Sequence, residues 1–291
     1  MYNQQLKEEW DEQLRTSNGS VFMTADVLNI LHPGWTLKTL NSTSIVPIFS
    51  KRKFGLAYSL QPFLTRTLDG FERLDSTFWD DFFPKICQFN LLHLPKKTPE
   101  NWEIKELKYQ RIPLDISLAK IEDRYAQNIR RFQKKQQYFS LKLNVSTTEF
   151  FIFIRKHNPF FKRLKSDLFS RFKELIKYFE NKGFGELLSL ANENGEIVAM
   201  SFYVFDGHSV IDFKGATTRE GKKKGAMVLL HLNAIKRYHQ KFDFYDFYGA
   251  NSSGRAHFNK KFGGTNVVYY QFTRINYPSV LKSLIRKIWK I

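Results

Sequence analysis

The sequence predicts an α/β chain of mixed sheets, built as two successive units, residues 1–117 and 118–277, and a closing helix at 278–291. Three observations carry this reading. Segments of period-two hydrophobicity alternate with segments of helical period along the whole chain. Two short hairpin signals, Asn194-Gly195 and Asp206-Gly207, separate apolar runs in the second part. The third is charge: the 291 residues hold 46 Lys+Arg and 28 Asp+Glu, a net charge of +18. Residues 1–117 contain 14 of each sign, so the remaining 32 basic and 14 acidic residues place the whole +18 after Ile116-Ser117. Such asymmetry points to a polyanion or an anionic cofactor met by the second part.

Composition narrows the class further. With 42% hydrophobic and 16% aromatic residues, the chain can fill sizeable cores and is not a disordered tail. The one cysteine, Cys87, excludes an internal disulfide and a cysteine-based zinc site, and suits a reducing compartment. No charged-then-apolar leader is present, and no apolar run approaches the ~20 residues of a membrane span. A soluble, cytoplasmic protein without a metal is the expectation.

In the first unit, helices are expected over Gln4–Leu14 and Thr24–Leu31, with Thr24 as N-cap. Strands are expected at Trp35–Asn41 and Ser44–Ser50, then a charged hairpin turn at Lys51-Arg52-Lys53 and a return strand at Phe54–Leu60. A loop bracketed by Pro62 and Gly70, a helix over Leu74–Ile86 and strands at Phe89–Leu94 and Tyr109–Leu114 complete it. Hairpins followed by a helix argue against a parallel, doubly wound sheet.

The second unit opens on a long helical pattern, Ser117–Phe139, with Ile121, Tyr125, Ile129 and Phe132 on one face. A strand at Ser140–Val145 precedes helices at Thr148–His157 and Phe169–Asn181. Strands at Phe184–Ala191, Glu196–Phe205 and Ser209–Lys214 follow. Thr217–Lys224 reads as a polar loop and Ala226–Gln240 as a helix. In that loop Gly221 and Gly225 flank Lys222, Lys223 and Lys224 ahead of Ala226. Glycines before a helix N-terminus let a phosphate approach the backbone, and the lysines add charge; the same residues read equally well as a solvated basic turn.

The rest is arranged around Phe242–Gly264. Its first part alternates aromatic and acidic residues as a half-buried strand does, and Gly249 ends it. Asn251, Ser252, Ser253 and Gly254 form turns. Arg255–Phe262 then makes a short helix stopped by Gly263-Gly264. Strand end, polar loop and basic helix converge on one crevice. Candidate proton-handling groups there are Asp246, Tyr248 and His257; Lys214, Phe258, Asn259 and Lys260 are candidates for substrate contact. The tail sets Val280, Leu281, Leu284, Ile285, Ile288 and Trp289 on one face and Lys282, Arg286, Lys287 and Lys290 on the other. Such a helix either docks on its own domain or lies on an anionic membrane.

Gly215-Ala216, the helix after Gly225, Asp246-Phe247-Tyr248-Gly249 and Phe258–Gly264 together resemble the C-terminal half of the Fem-type and BioF2-like branch of the GNAT acyltransferases. Asn128-Ile129-Arg130-Arg131 is similar to the helix that opens the second domain of Fem-type proteins. The resemblance implies two tandem GNAT-like domains, with the last helix returning to the first. Two positions depart from it. Asn259 stands where a lysine is common, and Lys222-Lys223-Lys224-Gly225-Ala226 is only the nearest fit to the GNAT glycine signature.

The implied function is N-acyl transfer, moving an acyl or aminoacyl group from acyl-CoA (acetyl-CoA) or an aminoacyl-tRNA to a small-molecule or peptide amine, within cell-envelope metabolism. A donor of this kind brings phosphates, for which Lys222–Ala226 is the expected binding stretch. The alternative is an inactive acyltransferase scaffold that binds RNA or a membrane surface, the latter through 278–291 on the inner face.

Overall fold

The computed structural model describes residues 2–41, 44–69, 79, 83–97 and 100–291. The chain divides into two units, Met1–Leu107 with Val268–Ile291, and Lys108–Val267. The boundaries thus lie at 107 and 267 rather than at 117 and 277, inside two long strands, and the terminal helix belongs with the first unit.

In the first unit, helices α1 (Tyr2–Thr16) and α2 (Ala25–Leu31) precede an antiparallel hairpin of β1 (Thr36–Asn41) and β2 (Ser44–Ile48). A second sheet runs β3-β4-β5-β12, from β3 (Ser50–Lys53), β4 (Leu56–Leu60), β5 (Ile86–Leu91) and β12 (Thr265–Ile275). β4 pairs with β5 in parallel and β12 with β5 antiparallel. Lys51, Arg52 and Lys53 are therefore strand residues. The reversal falls one step later, at Phe54-Gly55, whose φ values of 52° and 76° match a type I′ turn. Of the helix expected over Leu74–Ile86, residues 74–78 and 80–82 lie outside the described residues; Ile86 begins β5.

The core of this unit is aromatic. Trp79 sits with its ring centroid 5.1 Å from Phe272 and 5.4 Å from both Phe89 and Trp102, while Phe83 stacks on Phe89. Trp10 is fully buried and donates its indole N–H to the Met23 carbonyl at 2.8 Å. Helix α11 (Ser279–Trp289) docks here: Ile285 and Trp289 pack with Ile86 and Ile275, and the Trp289 ring stands edge-on to Tyr58 at 5.9 Å. That docking uses only part of its apolar face. Val280, Leu281 and Leu284 stay exposed.

The second unit carries the order β6-β11-β10-β9-β8-β7. Its strands are β6 (Glu103–Pro113, from Lys108 onward), β7 (Ser140–Lys142), β8 (Gly185–Ala191), β9 (Ile197–Asp206), β10 (Ser209–Thr217) and β11 (Phe244–Asp246). β7 to β10 are antiparallel neighbours, turning at Gly195 and Gly207 in the left-handed region as their Asn-Gly and Asp-Gly dipeptides require. β11 joins β10 in parallel.

Successive residues of β9 serve opposite faces, as strand geometry demands. Phe202 packs beside Phe150 of α5 (Thr147–His157), on the side shared with α6 (Pro159–Arg163) and α7 (Ser166–Asn181). Tyr203 meets Tyr238 of α9 (Ala226–Tyr238), which buries Leu229, Leu230, Ala234 and Ile235 against the other face. Helix α5 starts on a capping box between Ser146 and Glu149.

Two expected elements differ. Ser117–Phe139 is not one helix but α3 (Leu118–Asp123), α4 (Gln127–Gln133) and a 3₁₀ turn. The break at 124–126 is held by one tertiary and two local bonds that outweigh helical periodicity: Ala126 donates its N–H to the Lys261 carbonyl, and the Arg130 guanidinium donates to the Tyr125 and Asp123 carbonyls. And Thr217–Lys224 is not a loop throughout, since Arg219–Lys224 forms helix α8, capped by the Thr218 hydroxyl accepting from Gly221 N–H. The strand β12 over Thr265–Ile275 has no counterpart among the sequence expectations.

Candidate active site

Strands β10 and β11 pair at Ser209–Phe244, Val210–Tyr245 and Ile211–Asp246, and there the pairing ends, whereas β10 stays paired to β9 as far as Thr217. Asp246 causes the parting. Its carboxylate accepts the Tyr248 N–H at 2.6 Å, and Tyr248 takes φ +60°, so the chain turns away after one more residue. The following loop is held by Ala250 N–H donating to the Lys108 carbonyl and by Lys108 N–H donating to the Asn251 side chain. Helix α10 (Ser253–Lys260) then begins under a Ser252 cap and returns across the opening, where buried Asn259 donates to the Gly249 carbonyl at 3.0 Å.

A cavity of about 490 Å³ occupies this opening. Its floor is Asp212 to Thr217, which includes a register shift between Asp212 and Lys214. Gly215 lies where a Cβ would come within 2.8 Å of the Met200 carbonyl, so the floor is flat there by necessity. One wall is Met227 and His231 of α9; the other is Arg255, Phe258 and Asn259 of α10. Asn158 closes one end and donates to the Gly215 carbonyl at 2.9 Å.

The charge inside is lopsided. Among the lining residues Lys214, Lys222 and Arg255 are cationic, and Asp212 is the single carboxylate. Lys214 extends its ammonium over the rings of Phe213 and Tyr248, 4.6 Å from each centroid. Asp212 accepts the Ser201 hydroxyl through Oδ1 at 2.5 Å, and its Oδ2 stands 3.9 Å from Nε2 of His231. The imidazole is ringed by Tyr245, Phe247, Phe258 and Phe262. Burial, reinforced by Arg255 and opposed by Asp212, lowers its pKa below the usual histidine value, so it is neutral at pH 7. With a carboxylate on the Nε2 side, the proton belongs on Nε2, leaving Nδ1 to accept the Tyr245 hydroxyl at 2.6 Å. Burial also holds the Tyr245 phenol well above its ordinary range and therefore protonated.

Of the residues singled out from sequence, Lys214, Lys222, Phe258 and Asn259 meet at this cavity. Tyr248 lies one layer back, its ring against Phe213. Asp246 is buried and turns the strand, and neither it nor His257, which is exposed, lines the cavity. Lys260 is exposed and also off the lining. Lys224 pairs with Glu220 and faces a separate hollow with Lys135 and Glu193; Lys223 is exposed. Gly225 has φ +77° and a Cβ there would sit 2.3 Å from the Phe132 ring, so this glycine serves packing of the α8–α9 corner, and Ala226 is buried in the core.

Sequence reasoning missed Asp212, His231 and Arg255. Asp212 precedes Lys214 by two in a segment read as a strand, a spacing that in a regular strand puts both on one face, but the register shift between them breaks that alternation. His231 follows Met227 by four on the same helix face, the only polar side chain of an otherwise apolar stripe from 228 to 232.

A strand pair that opens over a cationic cavity, closed by a helix on each side, defines the class. Residues 123–258 match the family described as "Acetyltransferase (GNAT) domain", and this stretch is a GNAT acetyltransferase domain. The fold of the chain is similar to that in the crystal structure of FemX, with a TM-score of 0.68 and 11% identity over 98% of each chain. It is also similar to L-PGS from Bacillus licheniformis, with a TM-score of 0.57 and 12% identity over 98% of this chain and 96% of the other. No curated protein matches the sequence. The Fem/GNAT-like fold expected from the sequence is thus the fold the chain adopts. Among the described residues no cluster of three His, Cys, Asp or Glu side chains could hold a metal, and no helix is long and apolar enough to cross a membrane.

Proposed function

We propose that this chain is an N-acyltransferase that moves an acyl or aminoacyl group from an anionic donor to an amine at the cavity between β10 and α10. The observation that carries the reading is one carboxylate facing three cations inside a GNAT domain's strand opening. Lys214, Lys222 and Arg255 meet the phosphates of an acyl-CoA or of an aminoacyl-tRNA end. Asp212 takes the proton from the incoming ammonium, whose nitrogen lone pair then attacks the acyl carbon. The tetrahedral oxyanion collapses, the N–C bond stays, and the donor sulfur or ribose oxygen leaves with the bonding pair and takes up the second proton that the new amide nitrogen gives up. His231, in the cavity wall, keeps an uncharged imidazole 3.9 Å from the Asp212 carboxylate.

The basic half of the chain and its likeness in fold to FemX and L-PGS support an aminoacyl donor and an envelope acceptor, and an acyl-CoA donor fits the GNAT domain equally. Val280, Leu281 and Leu284, exposed beside Lys282 and Lys287, support contact of 278–291 with the inner face of a membrane. The test is ligand-induced stabilisation. Acetyl-CoA or an aminoacyl-tRNA should raise the melting temperature by several degrees, and Lys214→Glu with Lys222→Glu should abolish the rise. Absence of any rise with both donor classes would overturn the reading.

A further inference from the structure

A second hollow lies on the same unit, on the outer shoulder of α5 and α7. It measures about 560 Å³ and is lined by Thr148, Phe151, Ile152, Phe169 and four cations, Arg155, Lys156, Lys173 and Lys177. The inner faces of the two helices are spent on the sheet, where Phe150, Ile154, Phe172, Ile176 and Phe179 are buried. What remains outside is unusual for a solvated helix face. Ile152, which lines the groove together with the four cations, is 66% exposed. None of the four cations has a carboxylate partner among the described residues; Arg155 and Lys173 instead lie over the Phe169 ring, at 4.4 and 5.8 Å. The surrounding stretch, residues 155–177, holds eight Lys or Arg (155, 156, 162, 163, 165, 171, 173, 177) against two acidic residues (167, 174), a net of +6.

The geometry points to this groove as a seat for an anionic phospholipid at a bilayer surface, with the phosphate among Arg155, Lys156, Lys173 and Lys177 and the upper acyl chain on Ile152 and Phe151. Two chemistries have to be met at once, an apolar floor and an unpaired ring of positive charge, and an anionic amphiphile meets both. A nucleic acid meets only the charge. Its bases need an open aromatic face, and the two rings in the groove, Phe151 and Phe169, are buried to 7% and 8% exposure, Phe169 being already covered by Arg155. This seat is independent of the acyl-transfer reading, and it shares no residue with α11.

The test uses the full chain and flotation with vesicles of phosphatidylcholine, with or without phosphatidylglycerol. The wild type floats only with phosphatidylglycerol. Each cation near an anionic surface is worth about fivefold in partitioning, so Lys173→Glu with Lys177→Glu lowers binding by at least about 25-fold. Ile152→Asp, at an exposed position that leaves the core intact, lowers it by about tenfold or more. Leu281→Asp with Leu284→Asp, on α11, leaves a clear remainder. Acetyl-CoA binding by the α5–α7 variants stays as in the wild type, so failure here and failure of the transferase reading are told apart. Wild-type flotation by both α5–α7 variants, flotation that is lost entirely with the α11 variant, or binding of single-stranded RNA in place of vesicles would each overturn the assignment.

Discussion

Replacing Gly225 by alanine should destabilise the second unit by about 2–5 kcal/mol. Two costs add. The residue holds φ +77°, where a side chain costs about 1–2 kcal/mol. The new Cβ would also stand 2.3 Å from two atoms of the Phe132 ring, and overpacking of this kind costs about 1–3 kcal/mol. Phe132 is half-buried and can yield outward, which favours the lower half of that range. Gly207 supplies the control, since it has φ +55° with nothing within 4 Å of a Cβ; Gly207→Ala should cost only about 1–2 kcal/mol. The probe matters. All five tryptophans, at 10, 35, 79, 102 and 289, belong to the first unit, so its fluorescence transition should hardly move while the circular dichroism transition shifts. Phe132→Ala should be less costly in the alanine background than alone, with a coupling of about 1 kcal/mol or more. Equal costs for Gly225→Ala and Gly207→Ala would refute the packing role, and would return Gly225 to the donor-binding role its sequence context suggests.

Three further outcomes follow from particular side chains. His231 titrates lower in the folded chain than unfolded, so the unfolded state binds more protons as pH falls through the ordinary histidine value near 6.5; urea stability should therefore decline from pH 7 toward 5, and His231→Gln should flatten that part of the profile. Trp289→Ala, which strips α11 of its contact with Tyr58 and Ile86, should cost about 3–5 kcal/mol and move the tryptophan fluorescence transition of the first unit; a shift too small to measure would mean α11 is not docked. Asn259→Ala, which leaves the buried end of α10 without its bond to the Gly249 carbonyl, should cost about 1–3 kcal/mol in the second unit and weaken donor binding together with stability, whereas unchanged stability would show that this bond does not hold the wall in place.

Local signals were read from the sequence well where neighbours in sequence decide the structure. Asn194-Gly195 and Asp206-Gly207 turn as their dipeptides dictate, α9 follows its apolar stripe, and the terminal helix packs Ile285 and Trp289 inward. Where distant groups decide, the reading fails. The helix over Ser117–Phe139 breaks because Ala126 finds the carbonyl of Lys261, a partner no window could reveal. Lys222–Ala226 has the composition of a phosphate loop, yet Gly225 is spoken for by Phe132 and only Lys222 reaches the cavity. Asp246 resembled an acid placed for chemistry because it ends a strand; its carboxylate is instead bonded to Tyr248 N–H and opens the strands. The acid that does face the cavity, Asp212, sits at a register shift, and its partner His231 comes from a helix that passes for pure core.

The most direct test is release of free thiol from acetyl-CoA in the presence of a panel of primary amines, followed for the wild type and for Asp212→Asn, which keeps the bond to Ser201. Amine-dependent release is expected of the wild type, reduced about 10²–10⁴-fold in Asp212→Asn with donor affinity unchanged; with an aminoacyl-tRNA donor the same ratio is read from loss of the ester. Undiminished turnover in Asp212→Asn would contradict the role of Asp212 as proton acceptor.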